Sequence, residues 1–222
     1  MLSRRSVRFL PTPDRAGGSE FSLDLIPASV LAPRMRRIAM VSIVIGIVVG
    51  AVVAIFAAPP VAVAVGAVIG LPTALSAILA TRRRIWLDGN TIHASNGLRH
   101  RRVDVAAAVS VEFVVRSGRI SQVAARIGDG RSVQNVPLAL YTADGGRELE
   151  VLGLRKLADA LSASELAPAA AAASLLIEQL RAEARGAGLE ERPLYRAVTM
   201  VRDAGRVPQT VLTDQEVAAL SD

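Results

Sequence analysis

Two imidazoles, His93 and His100, are the chain's whole stock of neutral-pH bases, and it has no thiol. The absence of cysteine excludes disulfides, thiolate metal sites and a cysteine nucleophile. The histidines are separated by a turn and have no strong constellation of carboxylates beside them, so they do not read as a metal site. Gly128-Asp129-Gly130 and Asp144-Gly145-Gly146 lack the lysine and following hydroxyl residue of a phosphate-binding loop, and both read as turns. There is no Gly-x-Ser-x-Gly elbow and no His-Glu-x-x-His pair. The expectation is a non-catalytic protein with no catalytic residues, no metal and no cofactor.

Chemistry is instead concentrated in arginine. Lys and Arg total 26 against 20 Asp and Glu, for a net charge of +6, and Lys156 is the one lysine. The densest basic runs are Arg82-Arg83-Arg84 and Arg99-His100-Arg101-Arg102. Arginine near a membrane is drawn to anionic headgroups, each residue contributing about 1 kcal/mol. Arg82, Arg83, Arg84, Arg99, Arg101 and Arg102 are therefore the candidate anionic-lipid contacts, the plainer alternative for the second run being a solvated strand edge. Nucleic acid is not expected as a partner, because aromatic residues make up 3% of the chain and no binding motif is present.

The element that would position these arginines is apolar. From Ile38 to Thr81 there is no charged residue, and the run is bracketed by Arg34, Arg36 and Arg37 on one side and Arg82 to Arg84 on the other. A spanning helix needs roughly 20 apolar residues to cross about 30 Å of hydrocarbon. Pro59-Pro60 divides the run into two such stretches, about 38–58 and 61–81. The reading is a transmembrane hairpin (37–81) in the plasma membrane with both termini cytoplasmic, since flanking arginine stays on the cytoplasmic side. Ser42, Gly46, Gly50, Ala54 and Ala58 recur every four residues, as do Ala62, Gly66, Gly70 and Ala74. Gly46, Gly50, Gly66 and Gly70 are the expected helix-packing residues, where small side chains let backbones approach. These faces suit either packing between the two spans or docking to another subunit, so the expected partners are the bilayer, a membrane or cytoplasmic protein, and a second copy of the chain. Residues 1–36 read as a cytoplasmic arm, in which Phe21 to Ile26 is either an interfacial lead-in or a linker.

After Arg84 the pattern changes to alternation broken by turns, which is strand grammar. Asp88-Gly89-Asn90 and Asn96-Gly97 supply hairpin turns. Val109, Val111, Phe113 and Val115 share one strand face, Val123, Ala125 and Ile127 another, and Val136, Leu138 and Leu140 a third; Leu149 and Val151 form a last short strand. Leu154, Leu157, Ala158 and Leu161 then mark one stripe of an amphipathic helix. The fold class is α+β: a two-helix transmembrane hairpin, then an antiparallel barrel of about seven strands closed by a helix (84–163), then a helical or flexible tail (164–222). In its hairpin, its opening Arg84-Ile85-Trp86-Leu87-Asp88-Gly89-Asn90-Thr91-Ile92, its turn spacing and its closing helix, the chain resembles bacterial PH-like membrane proteins in which a hairpin directly precedes the module. Its arginine-, alanine- and valine-rich composition suits a GC-rich actinobacterial genome. The resemblance implies a binding or scaffolding module that presents a cytoplasmic PH-like domain to a protein or the lipid surface, with an accessory subunit of a larger membrane complex as the alternative. The first hairpin loop, Asp88-Gly89-Asn90, is without the basic motif of phosphoinositide-binding PH domains, and no such site is carried over.

Overall fold

The apolar run folds into two antiparallel helices, α1 (Ala28–Phe56) and α2 (Pro59–Thr81). The computed structural model describes residues 21–25, 28–81, 84–96, 99–143, 145–205 and 209–221. The N-terminal arm before Phe21, Arg82, Arg83, Gly97 and Asp144 lie outside the described residues. Helix α1 starts earlier than the charge-free run, so Arg34, Arg36 and Arg37 are helical. Helix α2 starts on Pro59 itself, because proline at a first turn needs no N–H partner and already holds a helical φ. The reversal is thus made at Ala57-Ala58. Large side chains point outward, with Ile47, Ile55, Val63 and Val68 all more than half exposed.

Glycine backbones meet where the helices touch. A Cβ placed on Gly46 would lie 2.7 Å from the Gly66 carbonyl oxygen, and one on Gly66 would lie 2.7 Å from that of Gly46. At Gly50 the nearest atom is the Ala62 carbonyl oxygen at 3.2 Å, and at Gly70 it is that of Ser42 at 3.1 Å. The helices therefore pack at a separation that admits no side chain at Gly46 or Gly66.

The remainder is α+β. Among the described residues nine strands form two antiparallel sheets, one ordered β1-β2-β3-β4 and the other β8-β7-β6-β5-β9. The first joins β1 (Phe21–Ser22), β2 (Arg84–Asp88), β3 (Thr91–Ser95) and β4 (His100–Asp104). The second joins β5 (Ser110–Arg116), β6 (Ser121–Gly128), β7 (Val133–Thr142), β8 (Gly145–Glu148) and β9 (Gln209–Val211). Instead of one closed barrel there are two open sheets, because the chain leaves the ladder between Asp104 and Ser110. Asp129 pins that break, accepting backbone N–H bonds from Arg131 (2.9 Å), Ser132 (2.8 Å) and Asp104 (3.3 Å). Those donors, Ser132 foremost, hold its carboxyl below the usual carboxylate range against the opposing effect of desolvation.

Among the described residues four α-helices complete the domain: α3 (Val151–Ser162), α4 (Ala167–Ala184), α5 (Pro193–Asp203) and α6 (Asp214–Ser221). Pro168 and Pro193 sit in first turns, Gly186 takes φ +68° just past α4, and Thr213 and Glu216 exchange capping bonds at 2.8 and 3.3 Å. One apolar core runs through both sheets and all four helices, from Leu23 through Ile92, Phe113, Leu138 and Leu157 to Leu176 and Leu220. The segment after Ser164 is thus part of the same core as the strands. So is Phe21 to Leu25, which is neither an interfacial lead-in nor a linker: Leu23 is fully buried and β1 pairs with β2.

Two residues read as core are placed differently. Val109 precedes its strand and is 62% exposed. Leu140 is half-buried because the β6–β7 register slips between Val123 and Ala124, whose partners are Ala139 and Pro137. That bulge accommodates a proline that has no N–H for the ladder and reverses the parity, so Ala139 and Tyr141 face inward after Leu138. The strand before α3 is Gly145–Glu148, not one through Leu149 and Val151, since Val151 already begins α3.

A buried polar cluster ties the C-terminal helices to the sheet. The Glu148 carboxylate, its side chain 8% exposed, accepts from Tyr141 Oη (2.6 Å), Gln179 Nε2 (2.8 Å) and Arg192 Nη1 (2.6 Å). Gln179 Oε1 in turn accepts the Leu194 N–H at 3.1 Å. Burial, then the bond to Glu148, pushes the Tyr141 hydroxyl far up, so it stays a donor.

Three comparisons test this architecture. Urea unfolding of the full chain in detergent, followed by its single tryptophan, Trp86, should show Phe113→Ala destabilised by about 3–5 kcal/mol. Glu112→Ala, whose 3.8 Å pair with Arg126 is about half exposed on both sides, should stay within about 0.5 kcal/mol. Arg192→Ala leaves the Glu148 carboxylate without its cation and should cost about 3 kcal/mol, the low end for a broken buried pair, because Arg192 keeps 23% exposure. Arg185→Ala removes the outward pair with Glu178 and should cost under about 1 kcal/mol. For the hairpin, cysteines placed on facing positions of α1 and α2 should crosslink less in Gly46→Ala and Gly66→Ala, less affected in Gly50→Ala, and normally in Val63→Leu.

Candidate functional site

The arginines are distributed by the pleat of the first sheet. Arg84, Ser95 and His100 form one cross-strand row, and Trp86, His93 and Arg102 form the next row on the same face. The row between them, Ile85, Ala94 and Arg101, projects from the opposite face, the one that carries Leu87, Ile92 and Val103 into the core. Arg99 sits on the β3–β4 turn, held by the bond from Asn96 N–H to its carbonyl at 3.1 Å. Arg84, Arg99, His100, Arg101 and Arg102 are all exposed, and they gather at one end of the sheet.

That end is where both helices join the domain. Strand β2 begins three positions after α2 ends, a reach of about 11 Å at most. Strand β1 runs antiparallel to it, with Phe21 opposite Leu87 and Ser22 opposite Trp86, so the chain heads toward the Arg84 end before entering α1. Leu23 N–H donates to the Ile85 carbonyl (2.8 Å) and Ile85 N–H to Asp24 Oδ1 (3.0 Å). Of the candidate lipid contacts, the structure brings together Arg84, Arg99, Arg101 and Arg102; Arg82 and Arg83 are outside the described residues.

The pleat also splits the group into two surfaces. On the outer face Trp86 and His93 stack with centroids 5.3 Å apart and planes 9° apart, flanked by Arg84, His100 and Arg102. On the other side a cleft of about 250 Å³ is lined by Asn96, Arg99, Arg101, Gln134 and Asn135, with apolar Ala94 and Val133. Among the described residues no carboxylate lines it. Among the described residues neither Arg99 nor Arg101 forms an ion pair.

Several parts of this arrangement are not apparent along the chain. Arg99 and Arg101 are neighbours of Arg102 in sequence but face a different space. Gln134 is buried at an inward position on β7, two residues before Val136 and four before Leu138, and its Nε2 donates to the Asn135 carbonyl at 3.1 Å. A polar residue at the inward phase of an apolar alternation is the one sequence signal that points to it. The histidines are apart in role, His93 stacked on Trp86 and His100 exposed in the terminal row. Among the described residues no three acidic or imidazole side chains are grouped to hold a metal.

The site thus has two chemistries: a flat aromatic and cationic face, and a concave one rich in N–H donors. Gly46, Gly50, Gly66 and Gly70 belong to neither and lie at the α1–α2 contact, opening on one side into an apolar groove of about 560 Å³. Compared with protein-family models, curated proteins and solved structures, the chain matches none.

Proposed function

We propose that the chain is a non-catalytic membrane-anchored binding protein of the bacterial PH-like kind. In this reading α1 and α2 cross the plasma membrane as a hairpin, both termini are cytoplasmic, and the domain is held with its basic sheet end against anionic lipid, from where it engages a protein partner. The observation that carries the proposal is the gathering of Arg84, Arg99, His100, Arg101 and Arg102 at the sheet end flanked by both helix feet.

Four further features support it. Pro33–Phe56 and Pro59–Leu79 are long and apolar enough to cross a membrane, with mean hydropathies of 3.0 and 2.1. Few residues of either helix are buried, unlike a core helix of a soluble domain, so their exposed valines and isoleucines need lipid or a partner. The β1–β2 pairing returns the chain to one side, and the arginines flanking the hairpin favour the cytoplasmic side. Seven consecutive antiparallel strands from Arg84 to Glu148 followed by α3 is the element order of a PH-like module.

Topology and surface contact are separately testable. Reporter fusions at Met1 and Asp222 should both read as cytoplasmic, and an opposite-side signal from either rejects the hairpin orientation. In vesicles, Trp86 emission should be quenched by headgroup-labelled phosphatidylglycerol more than by labelled phosphatidylcholine. About 0.5 M salt, which shortens screening to a few ångströms, and the double change Arg84→Glu with Arg102→Glu should each remove the difference. Equal quenching by both lipids rejects the surface contact.

The groove beside the glycine contact favours a second reading, an accessory subunit that docks its hairpin into a larger membrane complex. Partner capture that survives in a hairpin-only chain supports that reading, whereas capture that follows the domain supports the first.

A further inference from the structure

The cleft on the inner side of the basic sheet end sets Arg99 and Arg101, counted above only as part of the basic cluster, apart from the outer face. Arg102, one residue from Arg101, points to the outer face, so a membrane lying on that face would leave the cleft open. Arg99 and Arg101 line it, with no acidic residue beside them among the described residues, and Asn96, Gln134 and Asn135 line it with them. Unpaired arginines on an open surface are common. Here one of the accompanying amides, Gln134, is 7% exposed at a position where the strand alternation calls for an apolar side chain. Placing it there carries a cost unless its polar atoms are satisfied, and its Nε2 is engaged by the Asn135 carbonyl. The backbone bond from Asn96 N–H to the Arg99 carbonyl brings these two residues together at the cleft.

We infer that this cleft binds a phosphate monoester, a compact dianion that two forked guanidinium groups and neighbouring amide N–H donors are suited to hold. Arginine forks match the oxygens of a phosphoryl group in pairs, and two of them balance its two charges. The volume of about 250 Å³ exceeds the share of several waters, about 30 Å³ each, leaving room for the group to which the phosphate is attached. Bulk phosphodiester lipid is a poorer match, because it carries one charge and two esterified oxygens. The phosphate can come from a lipid headgroup or from a soluble metabolite, and the chemistry of the cleft is the same for both.

The test uses the full chain in phosphatidylcholine nanodiscs, titrated calorimetrically with inorganic phosphate at constant ionic strength. Saturable binding is expected, weakened at least tenfold in Arg99→Gln and in Arg101→Gln and unchanged in Arg102→Gln. Arg101→Lys, which keeps the charge and loses the fork, should fall between. Trp86 emission checks that each variant is folded, and Arg99, on an exposed turn, provides a readout even if Arg101→Gln unfolds. A second arm adds phosphatidic acid or phosphatidylglycerol to the nanodisc. Loss of phosphate binding with phosphatidic acid alone assigns the site to a lipid headgroup monoester, and retention with both assigns it to a soluble phosphate; either supports the cleft. No saturable binding in either arm, or equal loss in Arg102→Gln, overturns it. The Trp86 quenching by phosphatidylglycerol described above is independent of this result, so failure of the cleft and failure of the surface contact are told apart.

Discussion

Everything in this architecture hangs on a two-residue pairing. Phe21 and Ser22 sit on β2 across the whole length of the helical hairpin, and the contact is extended by the Leu23–Ile85 bond and the Asp24 carboxylate on the Ile85 N–H. Leu23 and Leu25 continue into the core, and Lys156 of α3 lies 5.2 Å from the Phe21 ring centroid. The strand before α1 and the strand after α2 are thereby fastened side by side. With both helix feet brought to one sheet end, the arginines at that end acquire a common address, which a linear reading of the chain does not supply.

The C-terminal half is fastened by a different kind of interaction. Glu148 on the edge strand β8 receives bonds from β7, α4 and the residue that precedes α5, so three elements converge on one carboxylate. Such a cluster contributes little net stability compared with an apolar replacement of the same shape, but it tolerates few alternative arrangements. The apolar packing of Leu176, Leu194 and Leu220 provides the burial, and the polar cluster selects which way the helices lie. The domain thus needs residues from both flanks of the β-region.

Much of the local structure is written plainly in the residues. The two helices follow from an uncharged run, the turn at Gly89 from its Asp-Gly-Asn setting, the six strands from Arg84 to Thr142 from alternation, and the α6 cap from Thr213 and Glu216, whereas the strand Gly145–Glu148 falls where the residues read as a turn. What is not written there is long-range. Phe21-Ser22 is too short to show a period, and its partner is more than 60 residues away. The slip at Val123 that exchanges Leu140 for Ala139 and Tyr141 is announced only by Pro137, and Glu148 resembles any solvated strand-end carboxylate. Arg99, Arg101 and Arg102 form one cluster along the chain and two surfaces in space, a division that depends on sheet parity and on the position of β7. Periodicity reports which residues share a face but not which element covers it.

The pairing of β1 with β2 also sets a sequence of events. Asp24 and Ile85 are 61 residues apart, and every residue between Ala28 and Thr81 that the structure describes, apart from the reversal, is helix. Closing so long a loop is slow when the chain is free, because its entropy is lost before the contact forms. A hairpin already seated in a bilayer holds its two feet together and removes most of that loss. In the membrane-anchored reading proposed above, helix insertion then precedes assembly of the core: β1 meets β2 once the helices are in place. In that same reading, a chain whose hairpin never enters lipid would keep an uncovered β2 edge beside a long apolar segment, a surface open to edge pairing and aggregation.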